Sequence, residues 1–338
     1  MKYLKFKRIT VLAVAAFLAA AMVSPAAWAE AIKLTYSNFF PPTHIQSILA
    51  QEWCDAVAAR TNGQVKVDYY PAGTLTKAQN CYDGVVQGLS DIGLSVLAYS
   101  RGRFPVLGAV DLPMGYTSGV QATKVANAVY NKFKPKEFDD TTIMYFHAHG
   151  PGLVHTKGKA VRTIEDMKGL KLKATGYSAK VVAALGGVPV GMPMPETYQS
   201  IQKGVVDGGV YPLESNKGWR LGEVTDYATA AFSAAYTTVF FVTMNTSKWK
   251  SLPPDVQKTI MEINEEWIGK HAKAWDDSDF EGVKYFLDQG NEIIGVDKKE
   301  SEKWEAAVAP IAEEYAKELD GKGLPGTEVV KFIRETMK

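Results

Sequence analysis

The order of apolar and polar residues along the chain predicts an α/β protein. Residues 31–36 alternate like a strand, a helix follows to Ala59, and residues 63–70 form a second strand. Residues 77–87 have helical spacing, and the apolar run at 92–98 is typical of a buried strand. This succession of strands and helices indicates a parallel sheet covered by helices, in which ligands bind beyond the carboxyl ends of the strands.

The stretch 163–214 has the same alternation in a second part of the chain. Thr163 is placed to cap a short helical turn, with Asp166 three residues later, and residues 170–174 then alternate between apolar residues and lysine. An amphipathic helix begins near Glu196 and ends in a tight glycine turn, and a short apolar strand follows. The pattern predicts a second α/β unit.

A long helix is predicted over residues 253–289. Val256, Ile260, Ile263 and Trp267 are spaced by four, three and four residues, which places them on one helix face. A helix of this length extends about 50 Å, enough to lie across two domains. A strand at 291–296 and a helix at 299–319 are predicted after it.

The first 29 residues have the pattern of a secretory signal. Basic residues at 2–8 precede an apolar run at 9–23, and Ala27-Trp28-Ala29 forms a cleavage site. We expect cleavage before Glu30 and a periplasmic location; the alternative is an uncleaved N-terminal anchor. Removal of the basic signal residues from a chain with 38 Lys and Arg and 37 Asp and Glu leaves a slightly acidic protein, which argues against a nucleic-acid partner.

Cys54 and Cys81 are the only two cysteines. Because the compartment is oxidising and the number is even, we expect a disulfide, with two buried thiols as the alternative. Neither cysteine has neighbours at metal-ligand spacing, so we expect no metal. The chain has no nucleophile-elbow, zinc-protease or nucleotide-binding motif, so we expect neither an enzyme nor a cofactor.

The motifs in residues 163–214 resemble those of the TRAP-transporter solute-binding proteins, the extracytoplasmic receptors of tripartite ATP-independent periplasmic transporters. Their usual form is D-x-K-G-x-K-x-R followed by E-x-Y-x-A-L-Q-x-G-x-V-D-G-x-x-N-P. The matching positions are Asp166, Lys168, Gly169, Lys171, Glu196, Tyr198, Gln202, Gly204, Val206, Asp207, Gly208 and Pro212.

The resemblance implies an α/β fold of two lobes with a hinge and a spanning helix. It places 30–149 with 238–277 in lobe I and 150–237 with 278–338 in lobe II. It further implies a receptor, expected to be a monomer, that binds a small organic acid and delivers it to TRAP membrane permease subunits.

Three departures from the family pattern concern the ligand. The family's carboxylate-binding arginine falls at Lys173, its asparagine at Tyr211, and a second arginine at Gly152. A lysine offers a single charge instead of the two-pronged fork of arginine. Lys173 therefore either binds a carboxylate or is a solvated strand lysine like Lys171, and Tyr211 lies either in the pocket or in the core.

Aromatic residues are expected around the same opening. Phe39, Phe40 and Tyr99 follow strands of the first unit and Tyr211 ends a strand of the second, with Trp219 and Tyr236 as weaker members. The polar candidates each have a structural alternative. The histidines at 44, 147 and 149 either hydrogen-bond a ligand or are ordinary packed histidines. Arg101 binds either an anion or an internal partner, and Glu214 binds either a cationic ligand group or a structural ion-pair partner. These candidates are His44, His147, His149, Arg101 and Glu214.

The substrate hypothesis is a monocarboxylate with an aromatic or otherwise apolar body, such as an indole or phenyl keto acid or an amino acid. It follows from the loss of arginines alongside several aromatic residues. The alternatives are a more usual small carboxylate or dicarboxylate, a periplasmic enzyme on a similar scaffold, and a sensor subunit with the same closed form.

Overall fold

A computed structural model describes residues 30–338, and the predicted secretory signal lies outside them. The strands are β1 (Ile32–Asn38), β2 (Val65–Tyr70), β3 (Ile92–Val96), β4 (Thr141–Ala148), β5 (Gly152–Thr156), β6 (Lys171–Ala174), β7 (Val188–Gly191), β8 (Gly208–Pro212), β9 (Tyr227–Ala230), β10 (Val239–Asn245) and β11 (Glu292–Gly295). The helices are α1 (Ile45–Arg60), α2 (Cys81–Val86), α3 (Gly119–Phe133), α4 (Tyr177–Ala184), α5 (Thr197–Gln202), α6 (Ser215–Gly218), α7 (Thr246–Ser251), α8 (Pro254–Asp288), α9 (Lys298–Gly321) and α10 (Gly326–Thr336). None of the helices within 30–338 combines the length and the apolar character that crossing a membrane requires.

Two separate sheets form two lobes, as predicted. The sheet of lobe I has the order β2-β1-β3-β10-β4, and that of lobe II has the order β11-β9-β5-β8-β6-β7. In lobe I, β1, β2 and β3 are parallel, and β10 runs antiparallel between β3 and β4. The chain crosses from lobe I to lobe II between β4 and β5 and returns through β10.

The carboxyl ends of parallel strands from both sheets meet at the cleft between the lobes. In lobe I, β1 ends at Asn38 and β3 at Val96; in lobe II, β6 ends at Ala174 and β8 at Pro212. The residues that follow these four strands are therefore the ones that approach one another, as the position of ligand sites in α/β sheets predicts.

The long helix α8 confirms the predicted spanning helix. It packs on lobe I, where the indole nitrogen of Trp53 donates to Asn264 Oδ1 at 2.9 Å. Near its other end, Asp279 Oδ1 accepts the backbone N–H of Glu214 in lobe II at 2.8 Å. One rigid element thus contacts both lobes.

The strands β5 and β9 and the helices α6, α7 and α10 are among the elements that the sequence patterns did not predict. The C-terminal segment lies against α3 of lobe I, where the Gln121 amide donates to the carbonyl of Met337 at 2.9 Å. The division into 30–149 with 238–277 and 150–237 with 278–338 stays a prediction.

The predicted disulfide is wrong, because Cys54 and Cys81 are separate buried thiols. The crossovers β1–α1–β2 and β2–α2–β3 run in opposite directions, so that their right-handed helices lie on opposite faces of the sheet. Cys54 packs in the cluster that contains Leu94, whereas Cys81 lies against the neighbouring Gly93. Successive residues of a strand face opposite sides of the sheet, so the two thiols lie on opposite faces. Burial raises the pKa of Cys81 to about 12, so this thiol is unreactive.

Candidate functional site

A cavity lies between the lobes at the meeting point of the strand ends. The space open to the centre of a water molecule is about 50 Å³, which limits the ligand of this closed form to a small molecule. The predicted site residues that line it are Phe39, Phe40, Tyr99, His149, Lys173, Tyr211, Glu214, Trp219 and Tyr236. Their roles in binding stay predictions.

Lys173 is a buried cation that faces this cavity. It is 6% exposed, whereas Lys171 on the same strand is exposed to solvent. Among the described residues, no carboxylate lies within 4.0 Å of its ammonium group, and burial alone lowers its pKa to about 8. An unpaired buried charge is unfavourable, and an anion in the cavity would reduce this cost.

Small residues make the space around Lys173. A Cβ on Gly209 would lie 3.2 Å from the Cβ of Lys173 and 3.1 Å from the ring of Tyr211, so the glycine lets both larger side chains lie side by side on the sheet. A Cβ on Gly152 would lie 2.3 Å from the ring of Tyr236. The ring of Tyr236 therefore occupies the space that a side chain at position 152 would need.

The loop after β6 brings the start of α4 to the same cavity. Thr175 and Ser178 line it, and the Ser178 hydroxyl accepts the backbone N–H of Thr175 at 2.9 Å. A helix N-terminus favours an anion through its free N–H groups and its dipole. This end of α4 adds to the positive potential at Lys173.

Aromatic rings form the opposite wall. Phe39 and Phe40 stack at 4.4 Å, and Phe39 stacks on Trp219 of lobe II at 6.1 Å with an interplanar angle of 18°. Next to them Phe240 stacks on Trp275 at 5.0 Å, and both rings also line the cavity. These faces are suited to a flat apolar ligand.

Glu214 lies at another edge of the cavity and is 2% exposed. Its Oε2 accepts a hydrogen bond from Nε2 of His44 at 3.0 Å, and its Oε1 accepts one from the Ser215 hydroxyl at 2.6 Å. His44 itself does not line the cavity and contacts it through Glu214.

His147 on β4 and His149 just after its end have different surroundings. His149 lines the cavity, donates from Nδ1 to the carbonyl of Gly150 at 2.5 Å, and has its pKa lowered by burial to about 4. His147 lies behind the wall, stacked on Phe240 at 4.9 Å, and accepts the indole N–H of Trp275 at 3.0 Å. Burial also lowers its pKa, so both rings are neutral near pH 7.

Arg101 is outside the cavity. It lies in an adjoining cleft on an exposed turn, where its guanidinium is 3.3 Å from the position that a Cβ on Gly191 would take. Within residues 30–338 no group of three or more His, Cys, Asp or Glu side chains is placed to hold a metal ion.

Several lining residues were not predicted from the sequence. Trp275 belongs to the predicted long helix and Phe240 to β10, but neither residue was assigned to the site. Thr175 and Ser178 follow the carboxyl end of β6, and the rule that ligands bind beyond strand ends would have indicated them.

Contacts between the lobes show that this is a closed form. The backbone N–H of Met194 in lobe II donates to the hydroxyl of Tyr99 in lobe I at 2.8 Å. The bond between His44 and Glu214 and the stacking of Phe39 on Trp219 also join the lobes. A ligand enclosed here stabilises the closed form through the contacts that it gains on closure.

Gly176 lets the lobes close fully. Its φ is +58°, and a Cβ there would lie 2.8 Å from the Cβ of Ala98 in lobe I. We expect Gly176→Ala to weaken ligand binding about tenfold or more, since the added methyl group opposes closure. Isothermal titration calorimetry measures this change.

Gly158→Ala is the matched control for that variant. Gly158 also has a positive φ, +72°, but no atom lies within 4 Å of an added Cβ. Both variants are expected to lose stability from backbone strain, Gly176→Ala the more because its φ of +58° and ψ of −127° lie outside the left-handed region, and only Gly176→Ala should lose affinity. Equal dissociation constants for the two variants would contradict a role for Gly176 in closure.

Comparison with known proteins agrees with this geometry. The family model described as DctP, bacterial extracellular solute-binding protein, family 7, matches residues 36–318. This chain belongs to that family. Its members are TRAP periplasmic solute-binding proteins, so the predicted family, the two-lobed fold and the absence of enzymatic function are confirmed.

Solved structures and a sequence relative cover nearly the whole chain. A marine-metagenome TRAP solute-binding protein, described as specific for aromatic acid ligands and bound to 3-hydroxybenzoate, is 28% identical with a TM-score of 0.87, covering 91% of this chain and 98% of that one. One from Rhodoferax ferrireducens with copurified benzoate is 26% identical with a TM-score of 0.85, covering 90% and 97%. The C4-dicarboxylate-binding periplasmic protein DctP of Rhodobacter capsulatus is 26% identical over 326 residues, 92% of this chain and 93% of that protein. This chain is thus a TRAP solute receptor of the kind that binds carboxylates.

Proposed function

We propose that this chain is a periplasmic TRAP receptor for a monocarboxylate with one aromatic or similarly flat apolar ring, which it delivers to its membrane permease. The observation that carries the proposal is the buried, unpaired ammonium of Lys173 opposite the wall of aromatic rings. One cation complements one carboxylate, and the stacked rings complement an apolar body.

The charges of the cavity disfavour a dicarboxylate. Lys173 is the one cationic side chain among the described residues that line it, and Tyr236 fills the space that a side chain at position 152 would need. A second ligand carboxylate would meet aromatic faces or Glu214, where desolvation and like charge are unfavourable. The small volume also favours one ring over two.

Two of the structures similar to this chain hold benzoate and 3-hydroxybenzoate, which agrees with the proposal. Calorimetry tests it on the mature protein, unfolded and refolded to release any copurified ligand. Benzoate and phenylacetate are expected to bind and to raise the melting temperature. Binding of succinate or sialic acid without binding of either aromatic acid would contradict the proposal.

A further inference from the structure

The cavity holds a second buried charged group that no cation neutralises. Glu214 accepts hydrogen bonds only from His44 and Ser215, and its one charge partner within 4.0 Å among the described residues is His44. Whether this pair is compensated depends on the protonation state of the histidine.

The hydrogen bonds of His44 assign a role to each of its ring nitrogens. The backbone N–H of Gln46 donates to Nδ1 at 3.2 Å, so Nδ1 carries no proton. The proton is then on Nε2, which donates it to Glu214. Glu214 is then the acceptor of this pair, and among the described residues no lysine or arginine lies within 4.0 Å of its carboxylate.

Glu214 and Lys173 do not neutralise each other. They line the same cavity without an N···O approach of 4.0 Å or less, and His149 lies near both, with its pKa shifted in opposite directions by the carboxylate and the ammonium. His149 uses Nδ1 as a donor, so its Nε2 is an acceptor. The cavity therefore has a donor group at Lys173 and acceptors at Glu214 and His149.

We propose that the ligand joins these two groups: its carboxylate binds Lys173, and a hydrogen-bond donor elsewhere on its ring, a hydroxyl or an ammonium, binds Glu214. This inference rests on the proposed function and narrows its substrate class to donor-bearing aromatic acids. Both buried charges then gain a partner on closure, which reduces the cost of desolvating them.

The hydrogen bond that joins the lobes does not by itself require a carboxylate at Glu214. A glutamine would accept the same hydrogen bond from His44 without bringing a charge into the cavity. A buried carboxylate offers stronger acceptance to a hydroxyl or an ammonium than an amide does. The charge is therefore the feature that a ligand donor would use.

The test uses calorimetry to compare benzoate with three series of substituted benzoates: hydroxybenzoates, aminomethylbenzoates and methoxybenzoates. Each series includes the ortho, meta and para isomers. The methoxy compounds match the hydroxy compounds in position but have no donor. At least one hydroxy or aminomethyl isomer is expected to bind about tenfold or more tighter than benzoate and than its methoxy counterpart. The preferred isomer shows whether a hydroxyl or an ammonium is recognised.

Glu214→Gln is expected to reduce that preference to about threefold or less. Glu281→Gln is the matched control, because Glu281 is exposed and pairs with Lys217 outside the cavity. Binding of benzoate as tight as that of every donor-bearing isomer would overturn the inference, and so would an unchanged preference in Glu214→Gln. Failure of all these acids to bind would instead refute the proposed function, and the wild-type comparison decides the matter even if the variant does not fold.

Discussion

Replacement of Lys173 with methionine is expected to stabilise the unliganded protein and to weaken carboxylate binding by at least about 100-fold. Burial lowers the pKa of Lys173 from 10.5 to about 8, which corresponds to a cost of about 3 kcal/mol in the charged state. Methionine has a similar length and no charge, so this cost disappears. The same change leaves a ligand carboxylate buried without a partner.

Thermal melting of the refolded, ligand-free protein and calorimetry with benzoate measure the two effects. The melting temperature is expected to rise by about 5 °C while affinity falls. Lys171→Met, on the same strand but exposed, is the control and should change neither quantity appreciably. If Lys173 had a purely structural role, Lys173→Met would lower the melting temperature. That outcome would contradict our interpretation.

Affinity for the acid is expected to fall as pH rises above about 8, by up to tenfold for each pH unit. The ligand carboxylate favours protonated Lys173 and raises its pKa in the complex. Between the free and bound pKa values, binding takes up a proton, so affinity is constant below pH 8 and decreases above it. The stability of the free protein changes in the other direction. The cost of burying charged Lys173 is fully present below pH 8 and is lost toward pH 10.5, because the unfolded state binds more protons in that interval. The free energy of unfolding therefore rises between these two pH values.

Lys173→Arg separates this dependence from the titration of Asp279, which accepts the backbone N–H of the cavity residue Glu214 and whose pKa burial raises to about 8. The pKa of His149 is about 4, and burial raises the pKa values of Tyr99, Tyr211 and Tyr236 well above the range of the measurement. Glu214 also lines the cavity, and Glu214→Gln should retain the pH profile. Lys173→Arg keeps its charge and should give a flat profile. A flat profile in the wild-type protein would contradict the assignment of Lys173 as the carboxylate ligand.

The sequence was sufficient to predict those parts of the fold that depend on local patterns. Helix α8 was predicted within one residue at each end, because its apolar stripe is long and regular. Thr163 and Asp166 form the capping arrangement that their spacing indicated. Helix α10 was not predicted, since it is short and follows a glycine- and proline-containing turn.

Features that depend on tertiary geometry could not be predicted in the same way. Cys54 and Cys81 occupy consecutive helices, and the sequence does not show on which face of the sheet each helix packs. The opposite directions of the two crossovers place them on opposite faces. Likewise, Lys171 and Lys173 alternate identically, and only the position of Lys173 at the end of β6, facing the other lobe, buries it.

The polar part of the site shows the same limit. His44 and Glu214 are 170 residues apart, so their hydrogen bond exists only after the lobes close. The aromatic members after β1 and β3 could be predicted from strand ends, whereas Phe240 enters the site through the register of β10 opposite Val96.

A crystal structure of the mature protein with the tightest-binding acid tests the central claim most directly. We predict a carboxylate oxygen about 2.7–3.2 Å from Lys173 Nζ, with the ring of the ligand against Phe39 and Trp219. A carboxylate bound elsewhere, for example at Arg101, with Lys173 left without a ligand contact, would contradict this account of recognition.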